Sequence, residues 1–269
     1  MRTILHLSDL HFGRVDEAIL SPLVGFINET KPDLVAISGD FTQRARTIEY
    51  IAAQEFLELI PFPKIVVPGN HDVPLRNLFL RFWHSLDSYR RYICDDLQPF
   101  YSDPEIAVAG VNTARALTWK DGRINKGQLD KLRTDFGSVP DGRTKIVVTH
   151  HPFDLPAGAR GEVVGRSDLA IQTLAECRVD VLLSGHFHIA DIGYTAKRYN
   201  IPGYSALIVS SGTSTSTRYR GGQSNSLNVI CVEHPRITIQ RHVWGKEAQA
   251  FDASPAERFH RTDDGWIRE

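Results

Sequence analysis

Five short stretches of this sequence carry side chains suited to holding a metal ion, and each follows an apolar run. Asp9 and His11 come after residues 4–7, Gly39 and Asp40 after 34–37, and Gly69, Asn70, His71 and Asp72 after 65–67. His150 and His151 come after 146–148, and Gly185, His186 and His188 after 181–183. One His or Asp behind a strand is more often a turn former, a helix cap or a satisfied polar group. Five such stretches point to a shared rim, because ligands of open α/β sheets bind beyond the carboxyl ends of the strands.

Spacing adds to residue type. Asp9 and His11 are two apart, as are His186 and His188, so in an extended segment each pair projects to one side and can grip an ion jointly. Gly39, Gly69 and Gly185 precede donors, where glycine suits either an ordinary turn or a close approach of backbone to ligand. The donors are imidazole nitrogen, carboxylate oxygen and one amide oxygen, without thiolate. That mixture suits Mn, Fe, Zn or Co rather than an all-oxygen calcium site. Seven protein ligands drawn from these stretches suffice for two ions, which a carboxylate can bridge. Ions paired at about 3.5–4 Å activate water and clamp phosphoryl oxygens, so the implied chemistry is hydrolysis of a phosphoric ester.

Short, mostly β-branched runs at 4–7, 34–37, 65–67, 107–111, 146–148 and 179–183 read as the buried strands that must position these donors. Between them, Ile48, Ala52, Phe56 and Leu59, and Ala170, Leu174 and Cys177, recur at helical spacing, which makes the class α/β. In 75–93, Leu75, Leu78, Phe79, Phe82, Trp83, Leu86, Tyr89 and Ile93 form a stripe predicted to face the core rather than to serve as a lid or dimer face. From about residue 190 the pattern changes to short strands at 206–210, 227–232 and 237–243, predicted as antiparallel hairpins. The 269 residues read as one domain, with a peripheral C-terminal tail from about 245.

Lys and Arg number 31 and Asp and Glu 32, so net charge gives no signature of a dedicated nucleic-acid or anionic-membrane binder. No apolar run reaches the roughly 18 residues of a membrane span, and no leader precedes the first strand, so a cytoplasmic protein is expected. Cys94, Cys177 and Cys231 are scattered and read as reduced thiols. Oligomeric state is not legible.

The blocks Asp9-Leu10-His11, Gly39-Asp40, Gly69-Asn70-His71-Asp72, Thr149-His150-His151-Pro152 and Gly185-His186-Phe187-His188 resemble, in order, those of the calcineurin-like metallophosphoesterase superfamily. Within it, the Ser8–Phe12 start and the Gly-Asn-His-Asp and Gly-His-Phe-His blocks look most like bacterial class III cyclic-nucleotide and glycerophosphodiester phosphodiesterases. The resemblance implies a four-layer αββα β-sandwich flanked by helices, holding two divalent or mixed-valence ions. It places Asp9, His11, Asp40 and His188 on one ion, and Asp40, Asn70, His150 and His186 on the other. Asp40 is the implied bridge, His151 lies beside the ligands, Asp72 orients its surroundings, and His71 assists the departing group.

The implied function is hydrolysis of small phosphodiesters, 3',5'-cyclic nucleotides among them, by metal-activated water. A nuclease or phosphomonoesterase of the same superfamily is the alternative, and a non-catalytic scaffold a more distant one that has no need of His71. A nuclease needs a basic track, for which Arg76, Arg81, Arg90 and Arg91 are the candidates. Asn112, Arg115 and His151 are candidate substrate-binding residues; Arg218 and Arg220, which follow Ser211-Gly212-Thr213, carry guanidinium groups that could hold a phosphate bidentately but read rather as solvated loop arginines.

Overall fold

The computed structural model describes residues 1–75, 78–118, 120–220 and 222–269. Strands β1 (Arg2–Leu7), β2 (Leu34–Ser38) and β3 (Lys64–Val67) are parallel neighbours joined through helices α1 (Glu17–Thr30) and α2 (Thr47–Glu58). Asp16 caps α1 by accepting from the Ala18 amide at 3.2 Å. Short helices α3 (Leu78–Trp83) and α4 (Asp87–Tyr92) lead to β4 (Phe100–Ser102) and β5 (Ile106–Gly110). Then follow α5 (Lys126–Gly137), β6 (Thr144–Val148), α6 (Ser167–Glu176) and β7 (Val181–Ser184). The rest is strand: β8 (Asp191–Tyr194), β9 (Leu207–Ser210), β10 (Ser226–Glu233), β11 (Arg236–Gly245), β12 (Ala250–Ala253), β13 (Glu257–Thr262) and β14 (Gly265–Arg268).

The first sheet runs β14-β13-β11-β10-β1-β2-β3, with β12 also on β11, and the second runs β4-β5-β6-β7-β9-β8. Period-two alternation decides what each face meets. On β2, Leu34 and Ala36 point to the second sheet, meeting a core with Val108, Ile146 and Leu183, while Val35 and Ile37 point outward to Ile19, Leu23 and Phe56 of α1 and α2. The outer face of the second sheet, through Ala107, Val147 and Leu182, packs on Leu129 and Phe136 of α5 and Ile171 and Leu174 of α6. The layers are therefore helix, sheet, sheet, helix: the αββα sandwich. No helix among the described residues is long and apolar enough to cross a membrane.

Several expectations need correction. The 75–93 stripe is two helices, and its first half faces outward: Phe79 and Trp83 are 61% and 70% exposed and stack on each other. Arg81 points inward instead, its guanidinium donating to the carbonyls of Ala116 at 2.7 Å and Pro74 at 3.1 Å. That burial takes Arg81 out of any surface basic track. Leu86 and Tyr89, beyond the break, do enter the core. Arg76 and the Leu78 side chain lie outside the described residues. On α2 the buried face is Tyr50, Ala53, Phe56 and Leu57, with Ile48 and Leu59 exposed. β10 and β11 form the expected hairpin, but β9 pairs parallel with β7 as well as antiparallel with β8. The residues beyond Trp244 form β12 to β14, burying Phe251, Phe259 and Trp266.

Asp180, 2% exposed, ties these last strands to the second sheet. It accepts from the Lys145 amide at 2.8 Å, Arg261 Nη1 at 2.7 Å and Trp266 Nε1 at 3.0 Å. Asp180→Ala is expected to lower stability by about 3 kcal/mol, the order found when one partner of a buried charge pair is removed. Activity per folded molecule should be unchanged, because Asp180 sits before β7, at the opposite end from His186. Urea unfolding measures the first, and an unaltered midpoint would contradict it.

Candidate metal centre

Donors follow the carboxyl ends of β1, β2, β3, β6 and β7, and the two sheets bring all five ends together. Asp9 and His11 do not lie in an extended segment, as expected from spacing. Their φ angles are 52° and 51°, and those of Asp40, His186 and His188 are 54°, 75° and 56°. These five are half of the ten non-glycine residues with positive φ among those described. Left-handed turns at alternate residues swing both donors inward while Leu10 and Phe187 stay buried behind them. Such backbone costs about 1–3 kcal/mol per residue and persists only where its surroundings enforce it.

Hydroxyls and one carboxylate do the enforcing. Thr213 and Thr215 donate to the carbonyls of Asp9 at 2.7 Å and Leu10 at 2.6 Å. Asp72 accepts from the amides of Phe41, Thr42 and Gly69 at 3.2, 2.8 and 2.9 Å, and from the Thr42 hydroxyl at 3.0 Å. Burial and the Asp40 charge push the Asp72 carboxyl up to about 7, against those donors. Asp72 thus fastens the loop after β2 to the loop after β3.

Lone pairs converge at the centre. His150 donates from Nδ1 to the Ser38 carbonyl at 2.8 Å, leaving Nε2 to face Asp40 Oδ2 at 3.4 Å, Asn70 Oδ1 at 3.2 Å and His186 Nδ1 at 3.2 Å. His188 donates from Nδ1 to the Arg218 carbonyl at 2.7 Å, leaving Nε2 to face Asp9 Oδ1 at 3.1 Å and His11 Nε2 at 3.0 Å. His11 Nε2 lies 3.6 Å from Asp40 Oδ2, so that one carboxylate oxygen stands between the two groups. Asp9 Oδ1 is buried without a hydrogen-bond partner. Acceptors turned on one another out of water are costly unless a cation sits among them, and this donor set fits a pair of cations.

Protonation is consistent with that fit. Burial lowers His11 to about 4, and burial with the nearby His150 charge lowers His186 to about 3, so both rings are neutral donors near pH 7. Burial favours protonation of Asp9 and Asp40, but the neighbouring imidazoles, His188 foremost at Asp9 and His150 at Asp40, favour the ionised carboxylates, outweigh burial and hold both carboxyls below the usual range. At His150 burial opposes the charged form, yet Asp40 and Asp9 outweigh it and raise the ring.

Asp40, Asn70, His186 and His188 open into a cavity of about 300 Å³, whose wall also holds His71 and Arg218. His71 donates from Nδ1 to the Gln43 carbonyl at 2.7 Å, so Nε2 is an acceptor, and Arg218 Nη1 donates to it at 3.1 Å. His151 is 2% exposed and satisfied by the Thr113 hydroxyl at 2.7 Å and the Lys120 carbonyl at 2.9 Å; its ring braces His186 at 4.7 Å. Asn112 and Arg115 are not brought to this cavity. Gln128 of α5 bonds the Asn112 carbonyl at 2.6 Å and also the Arg115 guanidinium, turning both toward a separate hollow beside Trp83 and Leu117. Sequence reasoning set Arg218 aside as a solvated loop arginine and passed over Gln43 and Arg160 of the cavity region. The Ser/Thr run at 213–217, which fastens Arg218 in place, was the available signal.

The family model described as calcineurin-like phosphoesterase matches residues 2–190. A protein of Synechococcus sp. named probable cyclic nucleotide phosphodiesterase is 26% identical over 206 residues, covering 71% of this chain and 74% of the relative. One of Arcobacter nitrofigilis named probable glycerophosphodiester phosphodiesterase is 23% identical over 263 residues, covering 91% and 89%. The crystal structure of a dimetal phosphatase from Danio rerio shares the fold, with a TM-score of 0.66 at 12% identity over 89% of this chain and 95% of that one.

A Cβ at Gly185 would collide with the Ser8 hydroxyl and the Asp9 carboxylate, whereas one at Gly25 on α1 meets nothing within 4 Å. Gly185→Ala is expected to lose both metal content and thermal stability, and Gly25→Ala to keep the metal and gain about 0.5–1 kcal/mol. Elemental analysis and calorimetry on the two variants check this; a full metal complement with an unchanged melting temperature in Gly185→Ala would contradict it.

Proposed function

Because the chain belongs to the calcineurin-like phosphoesterase family and is a metal-dependent phosphoric ester hydrolase, we propose that it cleaves small phosphodiesters, with 3',5'-cyclic nucleotides foremost. The observation that carries this reading is the set of lone pairs meeting around Asp40 on the floor of a small cavity walled by His71 and Arg218. Asp9, His11, Asp40 and His188 would hold one ion, and Asp40, Asn70, His150 and His186 the other, with Asp40 shared. Mn, Fe, Zn and Co suit these donors. Bound there, paired ions supply a water of lowered pKa and polarise the phosphoryl oxygens.

The chain's own residues do the remainder. His71 is held by its Nδ1–H bond to Gln43 and presents Nε2 to the cavity, where, once it has taken up a proton from solvent water, it would pass that proton to the departing alkoxide. A diester suits such a site: its single negative charge repels an incoming nucleophile less than a monoester's, and its poor leaving group gains more from a proton. The two relatives named as phosphodiesterases support the same preference. About 300 Å³ is the scale of a small-molecule pocket rather than a nucleic-acid track. The buried Arg81 weakens the nuclease alternative further.

Chelation should abolish turnover, and Mn, Fe, Zn or Co should restore it to different extents; full activity in demonstrably metal-free protein would end the reading. With one metal loaded, bis(p-nitrophenyl) phosphate, a cyclic nucleotide and glycerophosphodiesters should be cleaved at least as efficiently as p-nitrophenyl phosphate. A general preference for monoesters would overturn the diester assignment, and turnover of no ester by loaded protein would favour a scaffold. His71→Ala should keep its metal and lose roughly 10²–10⁴-fold in turnover. Loss of metal instead would make His71 a ligand.

A further inference from the structure

Arg218 belongs to a segment whose position is over-determined. Ser214 N donates to the Ser8 carbonyl at 2.9 Å, Asp16 N to the Thr215 carbonyl at 2.8 Å, and Thr217 N to the Arg14 carbonyl at 3.0 Å. The segment is thereby zipped onto the loop that carries Asp9 and His11. The Arg218 backbone carbonyl receives the Nδ1–H of His188, while its side chain turns to the opposite wall of the cavity and donates to His71. Gln43 Oε1 stands beside the same Nη1 at 3.5 Å.

This guanidinium is half-buried, and among the described residues no carboxylate lies within ion-pairing distance of it. A partly desolvated cation without a counter-ion, on the wall of a cavity whose floor is built for further cations, needs an anion to complete the site. The planar fork offers five N–H donors, of which Nη1 serves His71, so the others remain for a pair of phosphoryl oxygens.

We propose that Arg218 binds the nonbridging oxygens of the substrate's phosphoryl group and that His71 orients its guanidinium until the substrate arrives; this rests on the phosphoesterase reading above. The neutral imidazole is the weaker acceptor. A phosphoryl anion makes shorter and stronger charge-assisted bonds with guanidinium, so it draws the N–H away from His71 and frees Nε2 to take up from solvent the proton that the leaving group needs. Lysine, a point charge on a flexible stem, cannot offer the planar fork to two phosphoryl oxygens.

The test uses the full-length, metal-loaded protein and its Arg218→Ala and Arg218→Lys variants, with metal stoichiometry, inorganic phosphate binding by calorimetry, and kinetics on bis(p-nitrophenyl) phosphate. Side-chain replacement leaves the backbone carbonyl on His188, so both variants should keep the wild-type metal content and melting temperature. Arg218→Ala is expected to bind phosphate at least ~10-fold more weakly and to lose about 10²-fold or more in kcat/KM, the order seen when one preorganised donor to a developing oxyanion is removed. Arg218→Lys should stay at least ~10-fold below wild type in kcat/KM, because it keeps the charge and not the fork. Wild-type phosphate affinity and kinetics in Arg218→Ala would overturn the proposal, as would loss of metal in both variants, which would make the residue a structural brace. If wild-type protein cleaves no ester but its phosphate binding still depends on Arg218, the activity reading fails while the anion site stands.

Discussion

Mutual repulsion among buried acceptors is the constraint around which this molecule is arranged. Asp9, His11, Asp40, Asn70, His150, His186 and His188 turn oxygen and nitrogen lone pairs toward one another at separations of 3.0–3.7 Å. Charges and dipoles of one sign do not gather in a low-dielectric interior unless something of the opposite sign joins them or the scaffold compels it. Much of the rest of the fold can be understood as the means of compulsion. The left-handed turns at five donors, the glycines against the Asp40 and Asp9 carboxylates, and the hydroxyl bonds from Thr213 and Thr215 all act within the loops themselves.

The sandwich supplies the stiffness those loops need. Each sheet is held between a helical layer and its partner sheet, so the five strand ends are fixed relative to one another before any loop begins. One bond shows the coupling directly. His150, at the end of β6 in the second sheet, donates to the carbonyl of Ser38, the last residue of β2 in the first. Shifting one sheet against the other would therefore break the ligand geometry, and the shared core of Ala36, Val108, Ile146 and Leu183 opposes that shift.

What was legible in the sequence was what is encoded locally. Short apolar runs with donors just beyond them are a pattern of neighbouring residues, and strands, donor identities and the α/β class followed from it, whereas the layered sandwich came from the resemblance of the five blocks. Orientation was less legible, because it is settled by contacts far along the chain. Asp9 and His11 share a side through left-handed turns rather than an extended segment, and the hydroxyls that stabilise those turns come from 204 and 205 residues away. Arg218 passed for a solvated loop residue because its partner, His71, is 147 positions distant. The stripe on α3 misled for a related reason: periodicity finds an apolar face, but the carbonyls of Ala116 and Pro74, which draw Arg81 inward, decide which face is buried.

The central claim is that the cluster around Asp40 is built for two cations at once. Anomalous scattering from crystals of the protein loaded with Mn or Zn tests it most directly. The account predicts two peaks per chain on either side of the Asp40 carboxylate, one beside Asp9, His11 and His188 and the other beside Asn70, His150 and His186. A single peak, or peaks elsewhere on the chain with this cluster empty, would contradict it.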